Sequence, residues 1–185
     1  CKDEYWLFST GTGIFSRRSR DLVTWTAGPR VFSAMPRWLD GTFPGHRGHF
    51  WAPDVIELKG HYLLYYSVSR WGKNTSAIAL AGSPTLDPAD PAYLWKDEGI
   101  VIRSSERDDF NAIDPSVSAD RDGRLWLALG SFWSGIKLVE LDPATGLRLT
   151  WEVTRFPNLG GDWYKTGIYA ACHLKAAGDM PVRCK

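Results

Sequence analysis

Three stretches of this chain repeat one hairpin pattern, and that repetition restricts the fold more than any other feature. They are "DEYWLFSTGTGIFSRRSRDLVTW" (3–25), "GHYLLYYSVSRWGKNTSAIALAGSPTLDP" (60–88) and "GRLWLALGSFWSGIKLVELDPATG" (123–146). Each begins at a turn and runs into an aromatic-aliphatic strand. Each passes through Ser9, Ser67 or Ser131 into a loop with glycine. Each resumes at Ile14, Ile78 or Ile136 with a second strand. Two of them share a leader, "WAPDVIELKG" and "AIDPSVSADRDG", with Pro53 and Pro115 in register. "LKG" and "ADRDG" read as tight hairpin turns. Every unit then reads as four short strands, the outer one ending near Trp25, Trp95 or Leu149. No long amphipathic helix pattern competes.

A β-sandwich also uses short strands and frequent turns, but it does not require its hairpins to resemble one another. Repetition of a four-stranded unit points to an all-β propeller. The spacing of about 60 residues exceeds the ~40–50 of the common repeat motifs. Closed propellers use about four to eight blades, and this chain carries about three, an incomplete ring. The expectation is a partial propeller over 1–150 and a divergent tail, or the start of a fourth blade, over 151–185. The chain is thus read as a piece of a larger protein, with open blade faces available for self-association.

Composition narrows the function. A formal net charge of +1 gives no field for nucleic acid or an acidic membrane. No apolar run is long enough to span a bilayer. Ten Trp, seven Tyr and eight Phe suit aromatic-lined surfaces. Cys1, Cys172 and Cys184 form no zinc pattern, and a Cys172–Cys184 bridge and free thiols both stay open. The opening at Cys1 lies inside a strand-like pattern and is silent on localisation.

In a propeller the inner strands line one axis, so equivalent positions from successive blades converge. Asp114, just before Pro115, takes such a position, and Ala52 is its counterpart one unit earlier. Convergent carboxylates on a rigid ring suit glycoside hydrolysis. Asp-Pro also initiates turns, and that is the reading for Asp87, Asp90 and Asp142.

The ordered strings "WAPD", "YYSVS", "NTSAI", "AIDP" and "GSFWSGI" resemble glycoside hydrolase family 43, and within it the endo-1,5-α-L-arabinanases, from about residue 4 to 150. The resemblance implies a five-bladed propeller. It also implies inverting hydrolysis of α-1,5-L-arabinan by three carboxylates, often in a secreted protein. Asp114 matches the residue that tunes the general acid's pKa. The general base, in an "HDP" motif, would fall upstream of Cys1. The general acid, in an "EAP" motif, has no match: residues 153–185 contain no Glu, and the register places Lys175 of "LKAA" there, with "DMP" at Asp179 to Pro181 as a shifted alternative. An inverting site needs acid and base about 6.5–9.5 Å apart, so this chain alone is expected to be nearly inactive. Other readings are a non-catalytic plant-polysaccharide-binding propeller, another activity of the family (arabinofuranosidase or xylosidase), or a protein-interaction propeller.

Trp51, Trp71 and Trp133 are the candidates for stacking on arabinose. Asn111 and Ser131 are candidates for sugar hydroxyls, with loop capping as their alternative. Trp6 and Trp126 are assigned to the core, and Trp25 and Trp95 to blade-end packing. Asp54 is read as structural, bonding a neighbouring loop. His49 is read as a surface residue, and residues 16–21 as a solvated basic turn. Gly11 and Gly13 have no following helix, which argues against a phosphate loop. No metal ligand and no cofactor are assigned. The resemblance allows a channel ion such as calcium, held by a His of a later blade.

Overall fold

The computed structural model describes residues 3–149 and 154–155. The tail expectations, including Lys175, Asp179, Cys172 and Cys184, lie outside the described residues, as does Cys1.

Three antiparallel sheets follow one another along the chain. The first is built from β1 (Tyr5–Ser9), β3 (Phe15–Ser19) and β4 (Thr26–Ala27) in the order β1-β3-β4. The second contains β5 (His49–Leu58), β6 (His61–Val68), β7 (Ser76–Ser83) and β8 (Lys96–Ser104). It is extended by β2 (Gly11–Thr12), which crosses from the first hairpin to pair with β5, giving the order β2-β5-β6-β7-β8. The third runs β12-β11-β10-β9, with β9 Ser116–Ala119, β10 Leu125–Leu129, β11 Lys137–Leu141 and β12 Thr154–Arg155. One short helix, α1 (Trp38–Thr42), lies between the first two sheets in sequence and buries Leu39.

The period-2 alternation of the central sheet explains this arrangement. Leu64, Tyr66, Val68, Ala77, Ala79 and Ala81 project from one face into a core shared with Ile14, Phe32, Phe50 and Trp95. Tyr65, Ile78 and Leu80 project from the other into a core shared with Val117, Leu125, Leu127, Val139 and Leu141. Such strands must be apolar on both sides, and β7 is a nearly continuous buried run. Each large apolar side chain buried this way stabilises by about 1.5–3 kcal/mol.

The turns agree with the sequence reading. Leu58 pairs with His61 across Lys59 (φ 52°) and Gly60 (φ 80°), the left-handed pair of a two-residue hairpin. Four details differ. The outer strands β4 and β8 begin just after Trp25 and Trp95 and do not end there, because Trp95 turns into the first core. Residues 16–19 belong to β3, with Arg18 and Arg20 within 3.6 Å of Glu4. Trp126 is half-buried outside both cores, donating its indole N–H to Asp120 Oδ2 (2.9 Å) under the Arg124 guanidinium. Ile78 pairs with Ser67. Ser9 pairs with Phe15 and Leu129 with Lys137, and continuing these two ladders by one step sets Thr10 opposite Ile14 and Gly130 opposite Ile136. Ser9 and Ser131 therefore flank the repeated position by one residue each.

Candidate active site

The repeat recurs in atomic detail at the entry to the second and third sheets. Ala52 (φ 43°) and Asp114 (φ 55°) both adopt left-handed backbone before a proline. Ala52 donates its N–H to Thr10 Oγ1, and Asp114 donates its N–H to Ser67 Oγ, each at 3.0 Å. Each notch is thus fastened to the hairpin of the preceding sheet. A second stitch joins the second and third sheets, where Val117 N–H donates to Asp54 Oδ2 at 2.7 Å; Asp54 thus bonds a strand, β9, where a loop was expected.

The segment leading to Asp114 is held by Asn74. Its Nδ2 donates to the carbonyls of Ser105 (2.9 Å), Asp108 (3.0 Å) and Phe110 (3.3 Å). Its own carbonyl accepts from Ser104 Oγ, which in turn accepts from Ala112 N–H (2.9 Å). On the other side, Gly130 N–H donates to Ile113 O at 2.8 Å. Gly130 sits at φ 111°, and a Cβ there would lie 2.6 Å from Gly135 O, so only glycine fits.

Between these supports lies a cavity of about 440 Å³. Trp51, Trp71, Phe132 and Trp133 supply its aromatic walls; Asn111 and Ile113 also line it, with Ser69, Arg70, Gly72 and Lys73. Trp51 and Trp71 meet edge to face, ring centroids 6.4 Å apart at 61°. Trp71 is 92% exposed, an apolar plane standing in solvent. Asn111 is 3% exposed, and its Oδ1 is buried without a hydrogen-bond partner. An unpartnered buried acceptor is uncommon enough to need a reason, and a donor entering the cavity would supply one. Asp114 follows Ile113 in sequence but is not itself part of the lining, and its side chain reaches solvent. Desolvation by the surrounding protein still raises its carboxyl pKa.

The structure therefore gathers Trp51, Trp71, Trp133 and Asn111 around one cavity. Ser131, one residue before Phe132, is outside the lining. Phe132, Ile113 and Lys73 were missed by sequence reasoning. For Phe132 the adjacent Trp133 was a usable signal, and both residues share left-handed backbone (φ 55° and 42°). The described residues offer no metal site, because no group of three or more His, Cys, Asp or Glu is arranged to hold one. His46 Nδ1 is already an acceptor for Gly48 N–H (3.0 Å). No helix among them is long and apolar enough to cross a membrane.

An all-β scaffold of repeated hairpins with an aromatic cavity beside a carboxyl group defines the class, and comparison with known proteins defines the family. The chain belongs to the glycosyl hydrolases family 43, whose model matches residues 1–169. It is 50% identical over 141 residues to the extracellular exo-α-(1→5)-L-arabinofuranosidase of Cellvibrio japonicus, an alignment covering 76% of this chain and 41% of that protein. It is 42% identical over 163 residues to the extracellular endo-α-(1→5)-L-arabinanase 1 of Bacillus subtilis, covering 83% and 49%. Among solved structures, an exo-1,5-α-L-arabinanase from a bovine ruminal metagenomic library superposes with a TM-score of 0.80 at 43% identity, over 84% of this chain and 52% of that one. The Cellvibrio cellulosa α-L-arabinanase complexed with arabinohexaose gives 0.76 at 46%, over 79% and 47%. The chain spans about half the length of the relatives it matches.

Proposed function

We propose that this chain forms consecutive blades of a five-bladed propeller that hydrolyses α-1,5-linked L-arabinan, and that the aromatic cavity binds the polysaccharide. The observation that carries the reading is the cavity itself: Trp and Phe planes around a buried, unpartnered Asn111 Oδ1, beside Asp114. Sugars present apolar ring faces to aromatic planes and hydroxyl donors to fixed acceptors. The names of the relatives, which act on or bind α-1,5-arabinan or arabinohexaose, support this substrate.

In this reading Asp114 is one of three carboxylates of an inverting site. A second carboxyl group nearby would have its proton affinity raised by the Asp114 charge, as a general acid requires. The raised pKa of Asp114 itself fits a group placed in a partly desolvated centre. No step is assigned to a metal or cofactor. Two relatives are named extracellular, which supports the same location for the parent protein.

A second reading is a polysaccharide binder that does not cut. It is favoured by the cavity lining, in which no residue carries a carboxyl side chain. Two assays separate the readings: arabinohexaose binding by this chain, measured by calorimetry, and reducing ends released from linear arabinan by the longer parent protein that contains it, because this chain carries only one of the three carboxylates. Binding that is lost in Trp71→Ala, with release that is lost in Asp114→Asn, supports the hydrolase. Binding without release supports the binder. Absence of binding overturns both.

A further inference from the structure

Lys137 is the one lysine among the buried polar residues described, at 1% exposure. It occupies the first position of β11, on the face that carries Val139 and Leu141 into the second core. An ammonium on such a face is costly unless hydrogen bonds hold it. Its Nζ donates to Ser134 Oγ (2.8 Å), to Ser134 O (2.9 Å) and, at 3.5 Å, to Gly135 O. Ser134 is bound in turn across the cavity wall, donating its N–H (2.9 Å) and its hydroxyl to Asp109 O. The loop so fastened, residues 130–135, carries Phe132 and Trp133 into the cavity in left-handed conformations that bulky residues rarely adopt. Strained backbone persists only where its surroundings over-determine it.

We infer that Lys137 is a positioning residue of the cavity: its buried ammonium fixes the 130–135 loop and so sets where Phe132 and Trp133 stand against a bound sugar chain. Lys137 touches no ligand; it acts through Ser134. The inference about ligand rests on the sugar-binding reading above, whereas the inference about the loop does not.

The test uses the full chain labelled with 5-fluorotryptophan. The Trp133 resonance is assigned by its loss in Trp133→Phe. Lys137→Met keeps the length and apolar stem of the side chain and removes the charge. The expected result is a folded variant whose Trp133 resonance shifts or broadens while that of core Trp95 stays in place, with arabinohexaose affinity about tenfold weaker, roughly 1.4 kcal/mol. An unmoved Trp133 resonance with unchanged affinity overturns the inference. Should Lys137→Met fail to fold, Ser134→Ala decides: it removes the hydroxyl from both bonds and must move the Trp133 resonance without moving Trp95, or the inference fails. If the parent chain does not bind arabinohexaose, the functional reading fails, and the Trp133 resonance still decides the role of Lys137.

Discussion

Ala52 and Asp114 occupy the same notch in successive sheets. Both have left-handed backbone, both precede a proline, and both donate their N–H over 3.0 Å to a hydroxyl of the preceding hairpin. Only one carries a carboxyl group. The repeat thus supplies the same backbone site in the second and third sheets, and in the proposed function only the copy at Asp114 carries the reactive side chain. The surroundings also differ. Ser67, behind Asp114, is fully buried, whereas Thr10, behind Ala52, is exposed.

The largest effect expected from this contrast is on chemistry. Asp114→Asn keeps the size and hydrogen-bonding backbone of the notch and removes the charge. Where arabinan hydrolysis is measurable, its rate should fall by about 10²–10⁴-fold, because the general acid loses the charge that holds its proton and with it most of the usual acid–base contribution, with arabinohexaose affinity within a few-fold of the parent. A rate that survives the substitution would remove Asp114 from the site.

Stability should separate the two notches next. Ser67→Ala leaves Asp114 N–H without its acceptor in a buried setting, at a cost of about 1–3 kcal/mol. Thr10→Ala lets water take the place of the lost hydroxyl, and should cost about 0.5 kcal/mol or less. Thermal melts of the two variants check this. Equal losses would mean that the notches are supported alike, against the difference in burial.

Much of this contrast was legible in the sequence, because tight turns and prolines are local signals. Pro53 and Pro115 set the register of the notches, and Lys59-Gly60 set the hairpin between β5 and β6. Aligning the hairpins on Ser9, Ser67 and Ser131 was right at Ser67 and one residue off in the other two. A strand pattern shows alternation but not which rung of the ladder faces the next sheet, and serine at Ser9 and Ser131 outweighed threonine and glycine at Thr10 and Gly130. The crossing of β2 into the second sheet is a non-local pairing of two residues, with no periodicity to reveal it. Trp51, Trp71 and Trp133 could be chosen as aromatic residues in loops or at a strand start, and Asn111 and Ser131 as polar groups for sugar hydroxyls; of these five only Ser131 lies outside the cavity lining. Lys137 left a trace that alternation could have exposed: in "KLVEL" it shares its face with Val139 and Leu141.

The pH dependence of stability sharpens the comparison further. Desolvation holds the Asp114 pKa above its unfolded value, so the folded state favours the protonated acid. The contribution of the group to stability is fully present below the ordinary carboxylate range and is lost as pH rises through the raised folded pKa. Near neutral pH its charge therefore costs stability, and Asp114→Asn should melt above the parent. The gap should close as pH falls below the range in which an unfolded aspartate titrates. A gap independent of pH would mean that the two proteins differ for reasons other than this carboxyl group.

The smallest effect is the most direct test of equivalence. Ala52 holds a left-handed conformation that costs an ordinary L-residue roughly 1–2 kcal/mol, and aspartate tolerates it better through local hydrogen bonds. Ala52→Asp should therefore leave the melting temperature unchanged or raise it by the equivalent of about 0.5 kcal/mol, despite adding a charge. A loss of more than about 1 kcal/mol would show that the first notch cannot accept what the second one holds, and that only the backbone is repeated. Combined with Asp114→Asn, Ala52→Asp should restore no hydrolysis. A carboxyl one sheet away keeps the local geometry of the notch but stands in a different place relative to the 104–114 segment that Asn74 fastens. Restored hydrolysis would show that the notch alone suffices; its absence would show that the proposed role of Asp114 depends on where that segment sets it.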